Sequence, residues 1–151
     1  MIDLRRATMA DGDKLLSWRN DPVTRACFRS TAPIANEDHA RWMQSKVLQG
    51  FPEHIVLIAE SDLGSLGVVR FDAAKDNVMT YETSVTLAPE SRGKGLSRQI
   101  LGAACKAVPQ CALTTEVRVW NEVSRKMFEG CGFKEISRDA DFIQYRREPQ
   151  A

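Results

Sequence analysis

The sequence predicts an α+β fold in which helices cover a mostly antiparallel sheet of about seven strands. Three strand-like segments follow one another in the middle of the chain, at residues 54–60, 66–72 and 78–88, and turn residues separate them. Segments with helical spacing of apolar residues stand on both sides of this group. Two further strand-like segments, at 134–138 and 142–147, end the chain. Helices around consecutive strands are typical of a layered α+β domain.

Composition limits the functions that this chain can have. Its 151 residues fit one domain, 1–151, which can bury roughly two-thirds of the unfolded surface. The 21 Lys and Arg nearly balance the 20 Asp and Glu, which disfavours nucleic acid as a partner and predicts that anion binding is local. The four cysteines lack paired short spacing and only two histidines accompany them, so we expect neither a metal site nor disulfides.

The N-terminal sequence lacks the order of a signal peptide, and no apolar run reaches the ~20 residues that a bilayer span needs. We therefore expect a cytoplasmic protein without a membrane partner.

The first elements are a strand at 2–8 and a helix at 11–20, which ends before Pro22. Residues 21–33 read as a loop. Asn36 is the predicted N-cap of a second helix over 37–50, and Gly50 ends it.

The central strands begin with a hairpin made by residues 54–60 and 66–72, and a turn at 73–77 leads to the third strand. Successive side chains of this third strand point alternately to the two faces of the sheet. One face is predicted to carry Tyr81, Thr83, Val85 and Leu87, and the other Glu82, Ser84 and Thr86.

The C-terminal elements are a helix at 95–108, a strand at 111–120, a helix capped by Asn121 and ended by glycines, and the final hairpin. These bring the expected number of helices to about four.

Two glycines and two cations, Arg92, Gly93, Lys94 and Gly95, stand at the beginning of the 95–108 helix. Glycine allows positive φ and a close approach of backbone to ligand, and N–H groups at a helix start attract anions. The segment therefore suits a pyrophosphate, although a tight turn without a ligand is the alternative reading. The chain contains neither GxxxxGK[ST] nor GxGxxG in a βαβ unit, the two common phosphate motifs.

The segment VTLAPESRGKGLS resembles the acetyl-CoA signature of the GNAT N-acetyltransferases, whose pattern is Arg or Gln, two residues, Gly, one residue, then Gly or Ala. Arg92 and Gly95 match this pattern, and Ser97 occupies the last small-residue place. The segment NEVSRKMFEGCGF resembles the second CoA segment of the family through Asn121 and Ser124. Phe128 departs from it, since tyrosine is usual there.

The resemblance implies acetyl-CoA as cosubstrate, no metal, and a GNAT-like sheet. It implies that the backbone of Val85 to Leu87 binds the pantetheine arm, and that Asn121, Ser124 and Phe128 lie beside it. The implied pyrophosphate site comprises Arg92, Gly93, Lys94, Gly95, Leu96 and Ser97.

A general base is needed to take a proton from the acceptor amine. Glu116 is the first candidate, because its strand leads directly to Asn121, and Glu82 on the neighbouring strand is the second. The alternative for either is an ion pair with a nearby arginine. Phe128 cannot serve as the usual tyrosine acid. Tyr145 and Cys131 are substitutes for it, or else packing residues.

The resemblance implies that the acceptor site lies in the N-terminal half, where Trp18, Asn20, His39 and Arg70 are the candidate residues. Trp18 could stack on a sugar or base, whereas His39 could equally lie on a helix surface. These segments resemble family branches that acetylate nucleotide-linked amino sugars and ribosomal-protein N-termini. We expect an amino-sugar acceptor; protein N-terminal acetylation and a non-catalytic CoA-binding module are the alternatives. A homodimer would fit the family.

Overall fold

The computed structural model describes residues 1–75 and 77–150, so the predicted turn at 73–77 lies partly outside the described residues. Within them the chain forms a single sheet of seven strands. The strands are β1 (Asp3–Arg6), β2 (His54–Ser61), β3 (Gly64–Ala74), β4 (Asn77–Leu87), β5 (Ala112–Arg118), β6 (Lys134–Arg138) and β7 (Phe142–Arg147). The helices are α1 (Gly12–Asn20), α2 (Pro22–Cys27), α3 (Asn36–Trp42), α4 (Leu96–Lys106) and α5 (Glu122–Gly130). A π-helical segment, Met43–Leu48, continues α3.

The strand order across the sheet is β1-β2-β3-β4-β5-β7-β6. Every neighbouring pair is antiparallel except β4 and β5, which are parallel. This arrangement confirms the mostly antiparallel sheet, the three consecutive antiparallel strands and the final hairpin. The crossover from β4 to β5 contains α4, as a parallel connection requires.

The two faces of the sheet carry different side chains, as the alternation along β4 predicts. Tyr81 and the buried Thr83 point to the face covered by α4 and α5, where Ile100 of α4 belongs to the main apolar core. The opposite face packs against α1 and the segment after α3, and its smaller core includes Leu15 and Met43. Glu82 shares this second face with Ser84 and Thr86, so it points toward the N-terminal helices.

Helix α2 corrects the sequence prediction, which gave a loop at 21–33 and about four helices in all. Asp21 caps α2, since its Oδ2 accepts hydrogen bonds from the N–H groups of Val23 (3.1 Å) and Thr24 (3.4 Å). Pro22 occupies the first helical position, where a missing N–H costs nothing. This Asp-Pro pair is a helix-start signal that the loop interpretation overlooked.

The predicted cap of the second helix is also displaced by one residue. Asn36 is already the first residue of α3, and Ala35 takes the N-cap position. The helical segment ends at Leu48, before Gly50. Along the chain that the structure describes, no helix combines the length and apolarity needed to cross a bilayer.

Candidate active site

A cleft opens between the two parallel strands in the middle of the sheet. Strands β4 and β5 pair over only three residues each, the last pair being Glu82 and Thr114. The buried Thr115 hydroxyl then donates to the Thr83 carbonyl at 2.8 Å. Beyond this bond the strands enclose a cavity that Val85 lines from one side. Since separated strands leave backbone N–H and C=O groups without ladder partners, the cleft offers hydrogen bonds to an extended ligand.

The glycine turn lies at the outer end of this cleft. Gly93 and Gly95 have φ of +74° and +71°, the left-handed region in which glycine is favoured, and α4 begins at Leu96. Nothing lies within 4 Å of where a Cβ would stand at either glycine. The first N–H groups of α4 have no acceptor within the helix. The turn thus presents backbone donors to open space at the positive end of a helix dipole.

One cavity of about 460 Å³ joins the glycine turn to the beginning of α5. Residues from four elements line it, so the predicted cofactor segments do meet in space. Its predicted members are Val85, Leu87, Arg92, Gly93, Gly95, Leu96, Ser97, Asn121 and Ser124.

The two cations of the turn differ in their contacts. The Nη2 of Arg92 donates to Asp21 Oδ2 at 2.7 Å and to Thr24 Oγ1 at 2.9 Å. The hydrogen bond from Arg92 to Asp21 lowers the pKa of the Asp21 carboxyl group. Arg92 therefore fastens α2 to the turn, whereas the sequence prediction placed it on the pyrophosphate. Lys94 is exposed and forms no ion pair with the described residues, so it is free to meet an anion.

The beginning of α5 closes the inner end of the same cavity. The Oδ1 of Asn121 accepts the N–H of Ser124 at 3.2 Å, which confirms the predicted cap. Its amide Nδ2 donates to Cys27 Sγ at 3.3 Å. Phe128 is buried and packs edge-on against Phe133, with ring centroids 5.0 Å apart. Its ring borders the cleft without offering a polar group there.

Both candidate bases line the cleft where β4 and β5 separate, but their surroundings differ. The Nε of Arg29 donates to both oxygens of Glu116, at 2.8 and 3.0 Å, and Gln144 Nε2 donates to Oε1 at 3.2 Å. The arginine pairing considered for either glutamate is therefore present at Glu116. A carboxylate held in this way has fewer free lone pairs for an incoming proton.

The side chain of Glu82 is exposed to solvent at the cleft, and its carboxyl group forms no hydrogen bond or ion pair with the described residues. Partial desolvation by the surrounding protein raises the pKa of its carboxyl group, and the negative charges of Glu116 and Asp72 raise it further, against the weaker opposing effects of Arg70 and Arg29. A carboxylate with a raised pKa and free lone pairs can take a proton closer to neutral pH.

The two proposed replacements for the tyrosine acid lie outside the cleft. The Tyr145 hydroxyl is buried in the main core and donates to Glu129 at 2.6 Å. The Cys131 thiol contacts the Arg98 carbonyl at 3.6 Å. Both residues have packing roles, and neither supplies a proton donor next to Phe128.

A separate cavity of about 200 Å³ lies on the face that Glu82 shares, and two of the four predicted acceptor residues line it. His39 stacks on Trp42 at 5.7 Å, and its Nε2 lies 2.8 Å from the Gly12 carbonyl. Arg70 lines the floor, with its Cζ 5.2 Å from the Trp42 ring centroid. Trp42 is half-buried against the second core and forms a wall of this cavity.

The structure does not bring the other two predicted acceptor residues to this cavity. Trp18 is 6% exposed and belongs to the second core. The amide of Asn20 makes two hydrogen bonds with the backbone of Ile34, at 2.8 and 3.0 Å, and so holds the loop before α3. Both residues build the scaffold of the site.

Three cleft residues escaped the sequence prediction, because they lie within residues 21–33, the segment interpreted as a loop. Cys27 and Phe28 line the cleft, and Arg29 holds Glu116. Burial raises the pKa of the Cys27 thiol, which keeps it neutral. The Asp21-Pro22 helix signal would have placed Cys27 at the end of a helix but not next to Asn121.

Comparison with known proteins agrees with this geometry. The family model described as an acetyltransferase (GNAT) domain matches residues 2–134. No curated protein sequence matches the chain significantly.

Several solved structures have the same fold. Spermidine N-acetyltransferase from Vibrio cholerae, in complex with CoA and spermine, is 18% identical with a TM-score of 0.85, over 98% of this chain and 95% of that one. Ribosomal-protein-alanine N-acetyltransferase from Brucella melitensis is 21% identical with a TM-score of 0.81, over 97% and 99%. YncA from Salmonella typhimurium, with its cofactor acetyl-CoA, is 20% identical with a TM-score of 0.80, over 99% and 94%. Among the described residues, no group of three or more His, Cys, Asp or Glu could hold a metal ion.

Proposed function

Because this chain belongs to the GNAT acetyltransferase family and is an acetyl-CoA-dependent N-acetyltransferase, we propose that it acetylates a primary amine by direct attack, with Glu82 as general base. One observation supports this assignment above the others. The sheet opens immediately after the Glu82–Thr114 pair, so a solvent-accessible carboxylate without a side-chain partner among the described residues stands at the mouth of the cleft. The family assignment disfavours a non-catalytic CoA-binding module.

The residues of the cleft fit acetyl-CoA. We assign the pyrophosphate to the backbone donors of Gly93 to Ser97, where glycine geometry leaves open space, with Lys94 adding charge. We assign the pantetheine arm to the free backbone edge at Val85 and Leu87. Asn121 and Ser124 would flank its inner end. The cosubstrate supplies the acetyl group as a reactive thioester, and the chain holds it in place.

The chemistry of the acceptor amine then falls to the carboxylates. An alkylamine is protonated near neutral pH, and only the neutral nitrogen attacks a carbonyl carbon. Glu82 takes this proton, since its raised pKa and free lone pairs suit proton transfer. Glu116 has a different role in this proposal, because its negative charge is one cause of the raised pKa of Glu82. The carboxylate oxygens of Glu116 are themselves occupied by the hydrogen bonds from Arg29.

The protonation of the departing thiolate needs no dedicated side chain. A thiol such as that of coenzyme A has a pKa near ~8.5, so its thiolate is a tolerable leaving group near neutral pH. Phe128 offers no proton, and burial keeps Cys27 a neutral thiol by raising its pKa against the opposing effect of the hydrogen bond from Asn121. The nitrogen releases a second proton as the C–N bond forms and the C–S bond breaks, and we infer that solvent carries this proton to the departing thiolate.

For the acceptor we propose the amine of a nucleotide-linked amino sugar. The face beside Glu82 carries hydroxyl groups at Ser84 and Thr86, which suit sugar hydroxyls, and Arg70 lies next to them in register. The fold shared with a ribosomal-protein-alanine N-acetyltransferase keeps protein N-termini as a second candidate.

A turnover assay tests the reaction and the acceptor together. Purified protein is mixed with acetyl-CoA and one amine at a time, and release of free thiol is followed with a chromogenic disulfide. The amines are a UDP-linked 4-amino sugar, its free methyl glycoside, short peptides with alanine or serine first, and spermidine. We expect turnover with the sugar nucleotide. Turnover with peptides alone would overturn the acceptor, and no thiol release with any primary amine would overturn the reaction.

A further inference from the structure

Two arginines meet in the cavity beside the proposed base. Arg19 of α1 and Arg70 of β3 both line it, and the remaining wall is largely apolar, with Leu15, Ile34 and Val68. The two guanidinium groups are close enough that the positive charge of Arg70 lowers the pKa of Arg19, as burial does more strongly. Like charges brought together in an apolar cavity are unfavourable unless an anion joins them.

Arg19 has no anionic partner among the described residues. Its Cζ lies 3.8 Å from the centroid of the Phe28 ring, and its Nη1 is buried without a hydrogen-bond acceptor in the part of the chain that the structure describes. Buried polar atoms nearly always have a partner, so an orphaned guanidinium nitrogen indicates a missing acceptor. The stacking on Phe28 holds the guanidinium plane in place, which is how a preformed anion site is built.

Arg70 is only partly neutralised. Its Nη2 donates to Asp72 at 2.9 Å, while His54 Nδ1 contacts the other oxygen of the same carboxylate at 2.8 Å. The Nε of Arg70 is buried and has no acceptor among the described residues. Asp72 therefore orients the guanidinium group while leaving a donor unused.

Glu82 lies near enough for the charge of Arg70 to affect its pKa, but among the described residues Arg70 pairs only with Asp72 and Arg19 has no ion pair. Asp38 stands at the rim of the cavity, but it is exposed and pairs with Arg41 on the same helix. Arg25 adds further positive charge, since it also lowers the pKa of Arg19. The side chain of Arg25 donates to the carbonyls of Asn20 and Thr31 rather than to a carboxylate.

We propose that Arg19 and Arg70 form a subsite for an anionic group of the acceptor, a carboxylate or a phosphate, so that the enzyme acts on amines that carry such a group. This inference rests on the proposed acetyl transfer and names the class of acceptor more narrowly. A planar guanidinium group binds carboxylate and phosphate oxygens through paired hydrogen bonds. Two guanidinium groups that line one cavity can therefore bind the same anion together.

The position of the subsite relative to the base limits the acceptor further. Arg70 pairs in register with Ser84, two residues along β4 from Glu82. Two residues of a strand span about 7 Å. The anionic group therefore lies a few bonds from the reacting amine, as in amino acids, amino phosphonates or an amino sugar bearing a pyrophosphate. A polyamine, which is positively charged throughout, is repelled by the same pair of arginines.

Matched amines test the preference. The two amines of each pair differ in one anionic group. The pairs are phosphoethanolamine with ethanolamine, 4-aminobutyrate with butylamine, and a UDP-linked 4-amino sugar with its methyl glycoside. Spermidine serves as a cationic probe. We expect kcat/KM to be ~10- to 100-fold higher for the anionic member of at least one pair, as expected for charge-assisted hydrogen bonds. The pair with the largest ratio identifies carboxylate or phosphate as the anion. Equal turnover within every pair would overturn the subsite while leaving the acetyl transfer intact.

Variants assign the preference to the residues. Arg19→Gln should raise KM for the preferred anionic amine ~10-fold or more, with kcat and acetyl-CoA affinity nearly unchanged, and Arg19→Lys should restore part of the loss. Arg138→Gln, which removes an arginine from the distant edge strand β6, is the matched control. A loss of all turnover together with acetyl-CoA binding in Arg19→Gln would show that Arg19 supports the fold, and would overturn its role as a subsite residue.

A readout without turnover separates this inference from the proposed reaction. Sodium phosphate and sodium malonate are titrated against the wild type and Arg19→Gln while the unfolding temperature is recorded. A ligand that binds only the native state stabilises it in proportion to the logarithm of its concentration. We expect one of the two anions to raise the Tm of the wild type more than that of the variant. Equal shifts in both proteins would contradict the subsite, even if no amine were acetylated.

Discussion

Replacing Glu82 with Gln removes the proposed base while keeping its shape, and we expect kcat to fall ~100- to 10,000-fold. That range corresponds to ~3–5 kcal/mol of barrier. The matched variant Glu116→Gln should lose much less. Its ion pair with Arg29 is partly solvated, since the Arg29 side chain is 56% exposed, and such pairs contribute ~1 kcal/mol or less. We therefore expect a loss of at most about fivefold in Glu116→Gln.

The pH dependence separates the two roles more sharply than the rates. The base must be ionised, so kcat/KM should rise with pH through the raised pKa of Glu82. Glu116→Gln removes a negative charge that raises this pKa, so its acidic limb should move to lower pH. Glu82→Gln should lose the limb. The assay is thiol release from pH 5 to 9 with the amine well below its KM and acetyl-CoA saturating, so that the initial rate reports kcat/KM for the amine. Full activity in Glu82→Gln, with a 100-fold loss in Glu116→Gln, would return the base to Glu116.

Two further changes test the cofactor turn and the stability of the fold. Gly95→Val places a β-branched residue at φ +71°, which costs ~1–2 kcal/mol. We expect this variant to bind acetyl-CoA ~10-fold more weakly, as measured by calorimetry. The control is Gly102→Ala in the middle of α4, where a Cβ meets open space, and it should leave acetyl-CoA binding unchanged. The hydrogen bonds from Arg5 hold the pKa of the buried Asp11 at about 2, so Asp11 stabilises the fold above its unfolded value of 3.8, and this contribution disappears as pH falls toward 2. Asp11→Asn should therefore lose about 2 kcal/mol in urea unfolding at pH 7 and about half of that at pH 3, where the carboxyl group of the folded protein is still mostly ionised; an equal loss at both pH values would contradict the pairing.

Local patterns account for the parts of the fold that the sequence predicted well. Alternation along β4 separated Glu82 from the core side chains, and Asn121 capped α5 as its position before the apolar segment indicated. The final hairpin has the predicted bounds, because alternation and turn residues act over a few positions. Each of these features depends on neighbours in the chain.

The relations that decide the site are between distant parts of the chain, and no local pattern encodes them. Arg29 and Glu116 are 87 residues apart, and their pairing changed the ranking of the two candidate bases. Arg92 was expected on the pyrophosphate, yet it pairs with Asp21, 71 residues away. The opening between β4 and β5 is likewise a property of the sheet, since each strand alone is regular.

The central claim is that acetyl-CoA enters the opening between β4 and β5 and lies along the glycine turn. Hydrogen–deuterium exchange with and without acetyl-CoA measures this directly, because each backbone N–H that binds the ligand exchanges more slowly. We predict new protection at residues 85–87, 93–97 and 121–124. Protection confined to the cavity of Arg19 and Arg70, with no change at the glycine turn, would contradict the account.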